Sequence, residues 1–168
     1  AGNSEGLSEA QLFALESAAL EKWEDAADGV VGNGSGVQIF GTGILATSTL
    51  VADQSSPDGA NEVYFGDASG AGVIAVTIVW GIFSGPAQFR YLAEWDQIYD
   101  QVDFNWSTNG DPLKMDFDNI AVHEVGHAAG MGHPSNTCVN ETMYAYAAEG
   151  ETKKQSLNAG DIAGINNL

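Results

Sequence analysis

Cations are scarce in this chain of 168 residues: five lysines and arginines stand against 23 aspartates and glutamates, a formal net charge of −18. That balance excludes nucleic acid as a partner, because binding phosphates needs clustered Lys and Arg. It disfavours anionic membranes by the same repulsion. The single cysteine, Cys138, cannot form an internal disulfide and says little about redox compartment. No run approaches the roughly 18 apolar residues of a membrane span. A starting Met and a signal-peptide pattern are both missing, so the opening Ala-Gly-Asn is expected to be a mature or trimmed end. Internal repeats, heptads and long linkers are absent as well.

What is present is globular. Hydrophobic residues make up 44%, with four Trp, five Tyr and seven Phe, enough for one domain over 1–168 with a sizeable core. The acidic surplus suits extracellular or high-salt life, where screening weakens self-repulsion, and equally suits plain solubility. Asn33, Asn105 and Asn140 each open an Asn-x-Ser/Thr site, which leans toward export.

Ser8 with Gln11 makes a capping-box pattern, and Leu12, Leu15, Ala19, Trp23 and Ala26 then recur at helical spacing. A helix is expected over 9–28, ended by Gly29. Residues 29–72 are rich in Gly, Ser and Asp, with short strands expected at 37–40, 44–52 and 62–65. VIAVTIVW (73–80) is the strongest strand, and a further one is expected at 89–99. Asp116 then serves as N-cap to a helix with Phe117, Ile120, Ala121, Val125 and Ala128 on its apolar face, stopped by Gly130. A short helix capped by Asn158 ends the chain. The order reads as an α+β fold.

All three histidines fall within one stretch, HEVGHAAGMGH, residues 123–133. On a helix His123 and His127 project from one face. Two neutral imidazoles so placed can bind one metal ion, and nitrogen ligands of this kind suit zinc. His133, past Gly130, can return as a third ligand once the chain turns. Three protein ligands leave a fourth position for water, the layout of a catalytic site. Glu124 can reach that water as general base while the ion lowers its pKa toward roughly 7. A lone histidine is usually structural; five matching positions, His123, Glu124, His127, Gly130 and His133, outweigh that reading. Asp53, Asp58 and Asp67 are candidates for a calcium ion, with a solvated acidic loop the equal alternative. Cys138 is expected to be a buried, inert thiol.

The stretch resembles the HExxHxxGxxH element of the metzincin zinc endopeptidases. ETMYAY (141–146) resembles their Met-turn, with Met143 beneath the metal, and Met followed by Tyr is similar to the matrixin branch. Asp161 to Ile165 is similar to the Asp-Ile-x-Gly-Ile core of the matrixin C-terminal helix. NEVYFGDASGAGVIAVTIVW and LAEWDQIYD look like the third and following strands of prokaryotic matrixin-like peptidases. The resemblance implies a zincin-like mixed sheet with a long N-terminal helix, an active-site helix and a C-terminal helix. It also implies a secreted, zinc-dependent endopeptidase, expected as a monomer, with peptide held extended along a sheet edge. Residues 147–155 would shape the pocket for the residue after the scissile bond. Tyr144 and Tyr146 are expected to line the cleft or pack its wall. Pro134 and Ala145 depart from the matrixin and serralysin patterns respectively, and the usual first strand lacks a counterpart. A serralysin-type or unassigned metzincin, or a zinc-stabilised binding module without activity, are the alternatives.

Overall fold

The computed structural model describes residues 3–168. Helix α1 spans Glu9–Ala26, begun by Ser8, whose hydroxyl accepts from the Gln11 amide at 3.4 Å. Gln11 does not complete a capping box; its side chain donates instead to Thr108 Oγ1 at 2.9 Å. Leu12, Glu16, Ala19, Trp23 and Ala26 are buried at alternating intervals of four and three residues, the stripe a helix needs to lie on a core.

Three strands form the main sheet among the described residues: β1 (Val63–Gly66), β2 (Ala75–Ile82) and β3 (Tyr91–Asp100). Their order is β1-β3-β2, with β3 parallel to β1 and antiparallel to β2. Central β3 is buried continuously from Glu94 to Asp100, whereas β2 lies at an edge. Two-residue strands β4 (Trp106–Ser107) and β5 (Met115–Asp116) pair in parallel and lead into helix α2, Phe117–Ala128. Helix α3, Ala159–Ile165, follows a short 3-10 turn at Lys153–Gln155.

Side chains alternate across the sheet as strand geometry requires. Phe65, Ala75, Val79, Trp95 and Tyr99 join the core made with α1 and α2, while Tyr64, Val76, Ile78 and Ile98 pack with Ala52 and Ala68 on the opposite face. Both helices thus lie on one face, and loops cover the other. Tyr99, Trp106, Phe117 and Phe65 form an aromatic nest, with the Tyr99 and Phe117 centroids 4.8 Å apart. Trp23 Nε1 donates to the Val122 carbonyl at 2.7 Å, tying α1 to α2.

The sheet is smaller than the sequence pattern suggests. Segments 37–40 and 44–52 are irregular, and only 63–66 of the three expected early strands forms. Their amides find partners other than a ladder: Glu24 Oε1 accepts from Ile39 (2.8 Å) and Phe40 (2.7 Å), the Glu24 carbonyl from Val37 (3.0 Å), and the Tyr64 hydroxyl from Ala52 (3.1 Å). The first helix also stops two residues early, at Ala26, with Gly29 at φ +87° beyond it.

Gly126 of α2 sits where Trp23 and Met143 approach the helix most closely. A Cβ there would collide with Met143 Sδ and lie 2.6 Å from Trp23 Cζ2. Gly126→Ala should therefore cost about 1–3 kcal/mol through overpacking, read as a lower denaturation midpoint; an unchanged midpoint would contradict this packing.

Glu16 is buried against Tyr99, whose hydroxyl lies 3.1 Å from Glu16 Oε2. Burial pushes its carboxyl from the usual 4.5 up to about 8. The folded state then holds a proton that the unfolded chain gives up, so stability falls as pH rises from about 4.5 to about 8. Glu16→Gln should match wild type near pH 4 and exceed it near pH 9, by on the order of a few kcal/mol. Denaturation at both pH values measures this, and equal differences at the two would refute it.

Candidate active site

Helix α2 begins at Asp116, whose Oδ1 accepts from the Asn119 amide at 3.0 Å. Four residues apart on that helix, His123 and His127 face the same side; His123 is buried and His127 half-buried. The helix ends at Ala128, and Gly130 takes φ +96°, a left-handed turn that side chains rarely adopt. That turn brings exposed His133 back over the helix. Its Nε2 lies 3.1 Å from Nε2 of His123 and 3.1 Å from Nε2 of His127.

Backbone carbonyls orient two of the rings. His123 Nδ1–H donates to Thr142 O at 2.6 Å, and His127 Nδ1–H donates to Met131 O at 2.8 Å. With Nδ1 protonated, Nε2 carries a lone pair, and these lone pairs converge on one point with the third imidazole. Such an arrangement is repulsive by itself and favourable around a cation. The three histidines can therefore hold a metal ion. Burial draws all three rings below the usual imidazole value of 6.5, which keeps them neutral and ligand-ready.

Glu124 lies beside His123 and is buried, its Oε2 accepting from Thr77 Oγ1 of β2 at 2.6 Å. Desolvation raises its carboxyl to about 7, against the lowering effects of the Thr77 bond and the Lys154 charge. A carboxyl so poised can both take and release a proton near neutrality. The metal group contains no carboxylate, so Glu124 stands apart from it.

Met143 is fully buried beneath α2. Asp161 of α3 holds that turn, its carboxylate accepting from the amides of Thr142 (2.7 Å) and Met143 (3.1 Å). The histidines and Glu124 open onto a cleft of about 1050 Å³, walled by the free edge of β2, by Ile120 of α2 and by residues 145–147 with Lys154. Tyr146 lines the cleft and is 62% exposed, with its ring 5.5 Å from that of Tyr144. Lys154 is buried, and burial draws its ammonium down to about 8.

Thr77 was not legible as a site residue, and Lys154 was legible only as part of the pocket-shaping segment 147–155, not as an individual residue. Each carried a faint mark: one hydroxyl within an apolar strand, and a cation in a chain with only five. Cys138 is half-buried rather than buried and stands outside the histidine group. Of the calcium candidates, Asp67 and Asp58 bind nearby amides, Ser69 and Ala60 respectively. Asp53 alone joins a carboxylate cluster, with Glu94 and Asp96, which the sequence pattern had placed simply within a strand. No helix among the described residues is long and apolar enough to cross a membrane.

Comparison with known proteins agrees with this geometry. Human matrilysin is 39% identical over 66 residues, 39% of this chain and 24% of matrilysin. Metalloendoproteinase 4-MMP of Arabidopsis thaliana is 33% identical over 67 residues, 38% of this chain and 19% of that protein. The chain thus matches a quarter or less of the length of these relatives. A sequence model of the matrixin family matches residues 81–168, from the end of β2 through both site helices and just over half of the chain. By that match the chain belongs to the matrixin family.

Proposed function

We propose that the chain is a zinc-dependent endopeptidase catalytic domain that hydrolyses internal peptide bonds. The observation that carries this reading is the convergence of three imidazole Nε2 atoms next to a buried, Thr77-held glutamate that is not one of the converging groups. Zinc bound by His123, His127 and His133 would supply a Lewis acid that acidifies water and polarises a peptide carbonyl. Glu124 takes the proton from the attacking water and delivers it to the leaving amine, and its carboxyl value of about 7 suits both transfers. Thr77 keeps that carboxylate aimed. The free edge of β2 runs along the cleft, so an extended peptide can pair with it main chain to main chain.

Peptide and protein chains are the substrates under this reading. The acidic composition and the three Asn-x-Ser/Thr sites support a secreted enzyme. A calcium ion, if one binds, belongs at Asp53, Glu94 and Asp96, whose carboxylate oxygens lie within 4.8 Å of one another and are hard ligands of the type calcium takes.

Two substitutions separate metal binding from proton transfer. Glu124→Gln keeps size and removes the base, so it should hold one zinc per chain and lose about 10²–10⁴-fold in turnover. His127→Ala should lose the zinc itself. Zinc content and peptide-cleavage rate on the same preparations are the measurements; a Glu124→Gln chain cleaving at wild-type speed would sink the mechanism.

Acidification should also strip zinc from the wild-type chain, since only neutral imidazole binds metal. Because burial lowers all three rings, the loss should begin below the usual 6.5. Metal content after equilibrium dialysis across pH tests this. Zinc retained at equilibrium well below pH 4 would mean that the ligands are not these imidazoles.

A further inference from the structure

The far end of β2 carries large apolar side chains that neither core cluster uses. Ile82, Phe83 and Tyr91 are 44%, 58% and 58% exposed, at the hairpin that joins β2 to β3. Ile82 and Tyr91 are register partners, so their side chains lie beside each other on one face of the sheet. Phe83 folds back over Gly81: a Cβ there would lie 3.0 Å from Phe83 Cζ, and it would collide with the Tyr91 carbonyl. Only glycine leaves the ring that room. The loop between them is closed by its own bonds. Arg90 Nε donates to Gly85 O at 2.9 Å, and the amides of Phe89 and Arg90 donate to Pro86 O and Ala87 O, both at 3.0 Å.

This patch continues the cleft. Ile82, Phe83 and Tyr91 line the same cavity as the three histidines and Glu124, and the outer edge of β2 runs between the two. The Asp100 amide donates to Ile74 O, so alternation along the antiparallel ladder turns the main-chain groups of Ala75, Thr77 and Val79 outward. The register shifts between Trp80 and Gly81. A bulge there bends the strand and interrupts regular pairing. An extended chain lying on β2 therefore has main-chain partners near Glu124 and apolar surface beyond the bulge. Thr77, which holds Glu124, is five residues from Ile82, about 16 Å of strand. A net charge of −18 opposes a second copy or an anionic lipid surface at this patch. An uncharged apolar segment of a substrate held on β2 meets no such opposition.

We propose that Ile82, Phe83 and Tyr91 form a distal contact for the substrate chain. It receives large apolar side chains, aromatic ones above all, about five or more residues from the scissile bond on one side of it. The proposal rests on the endopeptidase reading of the same cleft and adds the kind of chain it takes. That chain is a long extended polypeptide with an apolar stretch away from the cut, preferred over a short peptide. The three side chains bind substrate and touch no reacting atom.

The test uses the zinc-loaded full chain and quenched-fluorescence peptides that share one cleaved core. The core is extended on its N-terminal or its C-terminal side, with either Phe or Ser at about the fifth to seventh residues from the cut. Mass spectrometry verifies the cut position. In wild type the Phe extension on one side should exceed its Ser counterpart in kcat/KM by about tenfold or more, mainly through KM, as burial of aromatic side chains implies. Phe83→Ser combined with Tyr91→Ser should bring that Phe-to-Ser ratio close to one at unchanged zinc content. Each single variant should remove part of it, and the singles decide if the double variant does not fold. Equal wild-type rates on Phe and Ser extensions at both sides overturn the proposal and leave the peptidase reading intact. A Phe-to-Ser ratio that survives both substitutions overturns it equally. A chain that holds one zinc yet cleaves neither the peptides nor a denatured protein overturns the peptidase reading, and this proposal with it.

Discussion

The geometry at the three histidines depends on a carboxylate that touches none of them. Asp161 of α3 is buried and accepts main-chain hydrogens from Thr142, Met143 and Asn158. Those bonds hold the turn in which Thr142 O accepts from His123 Nδ1, and that contact fixes which ring nitrogen carries the lone pair. The same turn places Met143 against Gly126, where α2 has no side chain to obstruct it. Tautomer, ring direction and helix packing thus trace back to one acceptor group about 40 residues downstream in the chain.

Similar use of carboxylates recurs through the molecule. Asp100 accepts from the amides of Ala68, Val102 and Asp103, Asp116 from Gly110 and Asn119, and Asp96 from Asp53 and Glu62. Asp100 and Asp116 sit at strand ends, Asp116 also capping α2, and Asp96 lies within β3; each gathers amides from outside its own strand. Buried amides need partners, and a charged acceptor makes the stronger bond. A large share of the acidic surplus therefore has a structural task, which explains how long irregular stretches between 29 and 62 stay attached without a sheet ladder. Read as surface charge alone, those residues suggested only an environment.

Burial also sorts the titratable groups into roles. Glu124 and Glu16 are both raised by desolvation, yet Glu124 opens to the histidine cleft, while Glu16, against Tyr99, lines a separate cavity with Leu12, Phe40 and Trp95. The hydroxyl partner differs too: Thr77 donates to Glu124 at 2.6 Å, and Tyr99 lies 3.1 Å from Glu16. Position beside the three histidines, rather than the shift itself, distinguishes Glu124 as the candidate for proton transfer.

Residues close in sequence announced themselves. The three histidines, Glu124, the caps at Ser8 and Asp116, and the apolar stripe of α1 follow from helical periodicity and side-chain chemistry, which are local. The Asp-Ile-x-Gly-Ile segment and the Met143 turn were equally visible as patterns, and the structure joins them through Asp161. The early segments 37–40 and 44–52 have strand-like composition but form no strand, because a ladder needs a neighbouring strand and local composition does not supply one. Thr77, the contact of Lys154 with His123, and the grouping of Asp53 with Glu94 and Asp96 were hidden for the same reason. Thr77 meets Glu124 across 47 positions and Lys154 meets His123 across 31, so only the packing of α2 between β2 and the closing turn brings them together. Local periodicity determined which residues could bind a metal, and long-range packing decided which groups aim, shield and charge the cleft around them.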